Sequence, residues 1–108
     1  MDFQKFKAIF DGLQAAYGYF RIEKTAANGK NTGKAGILRQ PRTDGLWEAH
    51  LKGTGQGLGI IPINENNQCK WGCIDIDEYP LDHKLLIEKI RRMKLPLVVC
   101  RSKSGGAH

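Results

Sequence analysis

The chain has 108 residues, 41% of them apolar, and carries 17 Lys and Arg against 11 Asp and Glu, a net charge of +6. That length suits one domain and excludes a multi-domain machine, and the near-average composition excludes collagen-like, coiled-coil and disordered chains. No apolar run approaches the ~20 residues that span a bilayer and no signal-peptide core follows Met1, so the expectation is a cytoplasmic protein with no membrane partner.

In chain order, Phe3, Phe6, Phe10 and Leu13 recur at helical spacing, with Lys5, Lys7, Asp11 and Gln14 between them. They predict an amphipathic helix of about 3–4 turns, capped near Asp2 and ended by Gly18, with its aromatic stripe in a core. Residues 17–22 read as a short strand. Residues 23–36 turn to Gly, Asn, Thr and Lys and read as a flexible loop. Inside it, Gly29-Lys-Asn-Thr-Gly-Lys34 fails as a phosphate loop: its glycines stand one residue too close, and Ala35 replaces the Ser or Thr that holds Mg²⁺.

Residues 46–51 read as a short helical turn or a loop-anchoring segment, 53–57 as a connector and 58–63 as a strand that Pro62 confines to an edge or an end. The turn chemistry of Asn64-Glu-Asn-Asn-Gln68 joins it to a second strand over 70–77, a predicted hairpin. Asp82, or Tyr79-Pro80, opens a second amphipathic helix with Leu81, Leu85, Leu86, Ile90 and Met93 on its apolar face. Lys94-Leu-Pro96 ends that helix, and 97–101 read as a strand. The pattern is a single α+β domain over residues 1–108.

Chemistry concentrates in two segments. In Trp71-Gly-Cys-Ile-Asp-Ile-Asp77, strand alternation puts Asp75 and Asp77 on one face, ~7 Å apart at Cα. Two carboxylates so placed repel unless a cation neutralises them, and Mg²⁺ or Mn²⁺ favours such hard oxygens. The other reading is two solvated aspartates, or Asp77 capping the turn that follows. In Arg101-Ser-Lys-Ser-Gly-Gly-Ala-His108, two glycines allow backbone N–H groups to approach an anion, beside donors suited to phosphate. The other reading there is an ordinary polar turn. Together, a carboxylate strand, a helix and a strand running into a phosphate-type loop place a metal beside a triphosphate, as nucleotidyl transfer requires.

The remaining candidates are weaker. Cys69, Cys73 and Cys100 lack zinc-knuckle spacing, are odd in number, and read as buried or half-buried thiols in a reducing compartment. His50 reads as a packing histidine, with a template or nucleotide contact as the alternative, and His83 as a surface one, while Trp47 and Trp71 read as core or shelf residues, with base-stacking platforms as the alternative. The basic residues are scattered; of them, Lys30, Lys34, Arg39 and Lys52 are candidates for contact with template phosphates.

The segments Gly72-Cys-Ile-Asp75-Ile-Asp77 and Arg101-Ser-Lys-Ser-Gly-Gly-Ala-His108 resemble the two leading motifs of archaeo-eukaryotic primase-polymerase catalytic domains. The nearest likeness is to those of phages and mobile elements. Trp47-Glu-Ala-His-Leu-Lys-Gly53 and Leu58-Gly-Ile-Ile-Pro62 are also similar, so the resemblance covers residues 45–108. It implies an N-terminal part of that domain, a mixed or antiparallel sheet flanked by helices, ending after the second motif. It implies that Asp75 and Asp77 ligate the Mg²⁺ or Mn²⁺ ions and, with His108, form the catalytic set. Arg101, Lys103, Ser104, Gly105, Gly106 and His108 would bind the nucleotide. Gly106 stands in the place where the family motif has serine, and Ser104 lies four residues before His108.

The implied partners are a single-stranded DNA template or primer and nucleoside triphosphates, with a homo-oligomer through an open sheet edge as a further expectation. The implied parent is a DNA primase or polymerase, with this 108-residue chain inactive alone because a third acidic motif is not in it. The alternative is a non-catalytic nucleic-acid- or nucleotide-binding α+β module.

Overall fold

In the computed structural model, which describes residues 2–108, the chain divides into two units, Met1–Gly72 and Cys73–His108. The first begins where the phenylalanine spacing predicts. The Asp2 carboxylate accepts the Gln4 amide at 3.0 Å and starts α1, Phe3–Phe10. The helix stops well short of Gly18. Asp11 turns extended, its carboxylate accepts the Gly12 amide at 2.9 Å, and Leu13 donates to the Ile61 carbonyl at 2.8 Å. Long-range backbone pairing therefore overrides the helical periodicity that Leu13 continues.

β1, Tyr17–Thr25, pairs antiparallel with β2, Asn31–Leu38, on one side and with β3, Gly57–Gly59, on the other, giving the order β2-β1-β3. This corrects the reading of residues 23–36 as a flexible loop. Pairing runs out to Thr25 and Asn31, and only residues 26–30 turn, with the Ala26 amide on the Lys30 carbonyl at 2.8 Å. The segment hides its strands because both of its faces are largely exposed, so no apolar alternation marks them. The register sets Arg21 directly opposite Lys34, two like charges on one face, both exposed.

α2, Asp44–Lys52, follows and carries Trp47, which is 1% exposed and the largest fully buried side chain. Phe6 meets its ring edge-on at 6.1 Å, Phe10 lies tilted at 4.7 Å from Phe6, and Trp71 meets Phe10 at 5.7 Å while its Nε1–H donates to the Phe10 carbonyl. Phe6 and Phe10 of the α1 stripe pack on Trp47 and Trp71 but stay half-buried, so the stripe predicted as core is only partly enclosed.

A charge shares that core. Arg42 is 5% exposed, lies over the Trp47 ring and donates to the carbonyls of Leu13 and Gly12, the Gln14 side chain and the Asp11 carboxylate. Burial alone would raise the Asp11 carboxyl. The Arg42 hydrogen bond, the Gly12 amide and the charges of Arg42 and Lys7 outweigh it and hold the group below its ordinary value.

The predicted hairpin of 58–63 with 70–77 reduces to one bridge, Ile63 with Cys69, around the turn at Asn64. Residues 70–77 form no continuous strand, because Ile76 pairs inside the second unit instead. There, Asp82 accepts the Leu85 amide at 3.0 Å and caps α3, His83–Arg92, and Lys94, at φ 54°, turns the chain out of it. Leu86 and Ile90 are half-buried, whereas Leu85 and Met93 stay exposed, so the apolar face predicted for this helix is only partly covered. The predicted strand over 97–101 pairs only at its last two residues. Cys69, Cys73 and Cys100 are all exposed, contrary to their reading as buried or half-buried thiols. Cys69 sits at a hairpin end, and the unit holding Cys73 and Cys100 is too short to enclose much interior. The fold is α+β with an antiparallel sheet, and no helix among the described residues is long and apolar enough to cross a membrane.

Candidate functional site

Asp75 and Asp77 lie in the Cys73–His108 unit with the whole of Arg101–His108, and backbone pairing brings the two together. The hairpin at its end is built by two bonds between Cys100 and His108, each 2.8 Å, and by Ser102 donating to the Gly106 carbonyl at 3.0 Å. Gly105, at φ 97°, supplies the positive-φ residue that closes a three-residue loop of this kind. Its outer strand then pairs with the aspartate segment: Ile76 and Ala107 exchange both backbone bonds, at 2.9 and 3.1 Å.

That antiparallel pair fixes the faces. Ile76 and the buried Ala107 lie on one side. Asp75, Asp77 and His108 then fall on the other, with Asp75 opposite His108 and Asp77 opposite Gly106. The side chains bear this out, since His108 Nε2 lies 3.1 Å from Asp75 Oδ1, both groups about half exposed. Asp77 Oδ1 accepts the Tyr79 hydroxyl at 3.2 Å, and that hydroxyl lies 3.1 Å from Ser104 Oγ. Each aspartate therefore keeps one carboxylate oxygen outside these contacts.

The fold leaves no room for a side chain at position 106, where the resemblance implies serine. A Cβ there would stand 2.3 Å from the Ile76 carbonyl oxygen and 3.3 Å from Ser102 Oγ. Ser102 brings a hydroxyl next to that place from across the hairpin, and its Oγ is buried without a hydrogen-bond partner among the described residues.

Two contributors carry no sequence signal. Tyr79 ties Asp77 to Ser104, and His83 Nε2 lies 2.8 Å from the Gly106 carbonyl, so this histidine anchors the glycine turn and is not the surface residue that its place near a helix start implies. Neither an aromatic nor a lone histidine follows a spacing rule; only the Ile76–Ala107 pairing makes them neighbours of the motifs. Arg101 lines an open pocket of about 510 Å³ with Lys84 and His83 at the start of α3, and Lys103 is exposed at the hairpin tip.

Chemically, the face offers two hard carboxylates, an imidazole and flanking cations. Among the described residues no three His, Cys, Asp or Glu side chains form a metal cage. A donor set of two carboxylates fits Mg²⁺ or Mn²⁺, which commonly takes one or two carboxylates and fills its shell with water and substrate phosphates.

A family model described as the TOTE conflict system, Archaeo-Eukaryotic Primase domain, matches residues 13–108. No curated protein and no solved structure matches the chain. The family match takes in the β1–β2 hairpin and α2 as well as both motifs. The chain belongs to the archaeo-eukaryotic primase domain family of TOTE conflict systems.

Proposed function

We propose that the Cys73–His108 unit carries the metal- and triphosphate-binding face of a primase-type nucleotidyl transferase, which adds an NTP or dNTP to a nucleic-acid strand. The observation that carries this reading is the register that sets Asp75 opposite His108 with Asp77 on the same face. Asp75 and Asp77 would hold Mg²⁺ or Mn²⁺. When bound, such a cation supplies the Lewis acidity that acidifies an attacking hydroxyl and steadies the departing pyrophosphate.

The chain's own residues do the positioning. His108 is fixed by two backbone bonds to Cys100 and its Nε2 is steadied by Asp75, so Nδ1 is the ring edge left free, and in the imidazolium form it would donate to a phosphate oxygen. Lys103 and Arg101 add charge beside it, Gly105 lets the chain turn tightly next to an anion, the buried Gly106 packs that turn against Ile76, and Ser104 is oriented by Tyr79. His108 is a phosphate contact in this scheme and not a general base, because phosphoryl-type transfer is governed by positioning and charge neutralisation. Single-stranded DNA as template or primer, steered by the net positive charge, completes the substrate set.

Calorimetric titration of the full chain with ATP, with and without Mn²⁺, tests this. Binding is expected to need the cation, and Asp75→Asn combined with Asp77→Asn should weaken it by about tenfold or more, about 1.4 kcal/mol. Unchanged affinity in the double variant would remove the metal assignment.

A further inference from the structure

The β1–β2 hairpin is the most open part of the Met1–Gly72 unit. Among the described residues β1 packs only on β2 and β3, and β2 only on β1. β3 reaches no farther than Phe20, and from there round the turn to Ala35 every residue but Asn31 is exposed.

The register gathers cations on one face. Arg21 lies opposite Lys34 and Lys24 opposite Thr32, and Lys34 and Thr32 are two apart on β2. Arg21 and Lys24 therefore share a face although they are three apart, which regular alternation forbids. A bulge between Ile22 and Lys24 makes it possible: Glu23, the one acidic residue of the hairpin, takes the extra place and has no cross-strand partner. Lys30 adds a charge at the turn, and none of these four cations is in an ion pair among the described residues. Like charges directly opposite each other, with side chains starting about 5 Å apart, are unfavourable. An anion seated between Arg21 and Lys34 turns that repulsion into two attractions.

The same face offers no stacking platform among its cations. Tyr19, the nearest aromatic on it, lays its ring over Gly36, where a Cβ would stand 2.8 Å from the ring. Phe20 and Ile22 fall on the opposite face. Proteins hold single strands largely by stacking bases on aromatic side chains. A face of Arg, Lys and Thr suits instead a ligand whose bases are turned inward and whose phosphates are turned outward.

We propose that the β1–β2 hairpin grips the phosphate backbone of double-stranded DNA, with Arg21, Lys24, Lys30 and Lys34 as the contacts. The dimensions agree: the major groove, about 12 Å wide, admits a two-stranded ribbon, and the extra twist of a bulge lets the ribbon follow a helical path. The contact reads no sequence, since it is made to phosphates. It lies entirely within the Met1–Gly72 unit and uses no residue of the proposed transfer site, so either can fail while the other stands.

Fluorescence anisotropy of a short labelled DNA duplex, titrated with the full chain in the absence of Mn²⁺ and nucleotide, keeps the transfer site out of the measurement. The duplex should bind saturably and more tightly than either of its separated strands. Arg21→Gln with Lys34→Gln should weaken it about tenfold and lower the slope of log affinity against log salt by about 2, with circular dichroism unchanged. Should that variant not fold, Lys24→Gln with Lys30→Gln reads the same two losses. Arg91→Gln with Arg92→Gln removes an equal charge from exposed positions of α3 and is the control. Equal losses in control and hairpin variants, tighter binding of a single strand, or a folded hairpin variant that holds the duplex undiminished would overturn the proposal. Tighter binding to anionic phosphatidylglycerol vesicles than to the duplex would also overturn it.

Discussion

Gly106→Ala is expected to separate the aspartate segment from the hairpin, although it adds one methyl group and touches no charge. The Cβ would lie 2.3 Å from the Ile76 carbonyl oxygen, a backbone atom that cannot swing aside as a side-chain end can. Relief requires Ile76 and Ala107 to give up their paired bonds, and Ala107, 1% exposed, anchors what interior this unit has. Overpacking of this kind costs about 3 kcal/mol. The functional loss should exceed the stability loss, because the register that sets Asp75 opposite His108 depends on that pairing. Thermal unfolding with Mn²⁺-dependent ATP binding measures both. The expected result is binding reduced as far as in the Asp75 and Asp77 double variant, with every carboxylate intact. Gly106→Ser should behave alike, since it carries the same Cβ. A variant that binds ATP normally would show that the two segments need not pair.

Asp11→Ala should strongly destabilise the Met1–Gly72 unit. It leaves the Arg42 guanidinium at 5% exposure without its carboxylate, and breaking one side of a buried ion pair costs about 3–5 kcal/mol. The pH dependence follows from the direction of the shift. The Asp11 carboxyl is held below its ordinary value of 3.8, so its contribution is complete above that value and is lost as pH falls through the depressed one. The unaltered chain should therefore lose stability steeply with acid below about pH 4, and Asp11→Ala should show a shallower acid limb from a lower plateau. Denaturant midpoints from pH 7 down to pH 2 give the comparison. Parallel acid limbs in the two proteins would mean that the Asp11–Arg42 pair contributes nothing to acid sensitivity.

Much of the site was legible because it is written in short range. Asp75 and Asp77 follow strand alternation, the glycines before His108 follow turn chemistry, and the pairing places these three candidate side chains on one face. Tyr79 and His83 were not legible, since their roles come from contacts with Ser104 and Gly106 more than twenty positions away. Arg42 was hidden among the other cations of a basic chain, and its burial depends on Asp11, Leu13 and Gln14 about thirty positions upstream. The β1–β2 hairpin escaped because an exposed ribbon needs no apolar alternation; its strands are held by backbone bonds and by β3 at one end.

That hairpin has one more property. Arg21 and Lys34 face each other across it, and neither is in an ion pair among the described residues. Most surface charge contacts loosen as salt screens them, but this one is repulsive. Added electrolyte, which shortens the screening length to about 8 Å at physiological strength, removes a force that pushes the two strands apart. Amide exchange at Arg21 and Lys34 should therefore slow as ionic strength rises, opposite in sign to the response of an attractive pair such as Lys7 with Asp44. The ribbon is most loosely closed in dilute buffer and firmest in the presence of counter-ions, so its rigidity is set by the ionic medium as well as by the sequence.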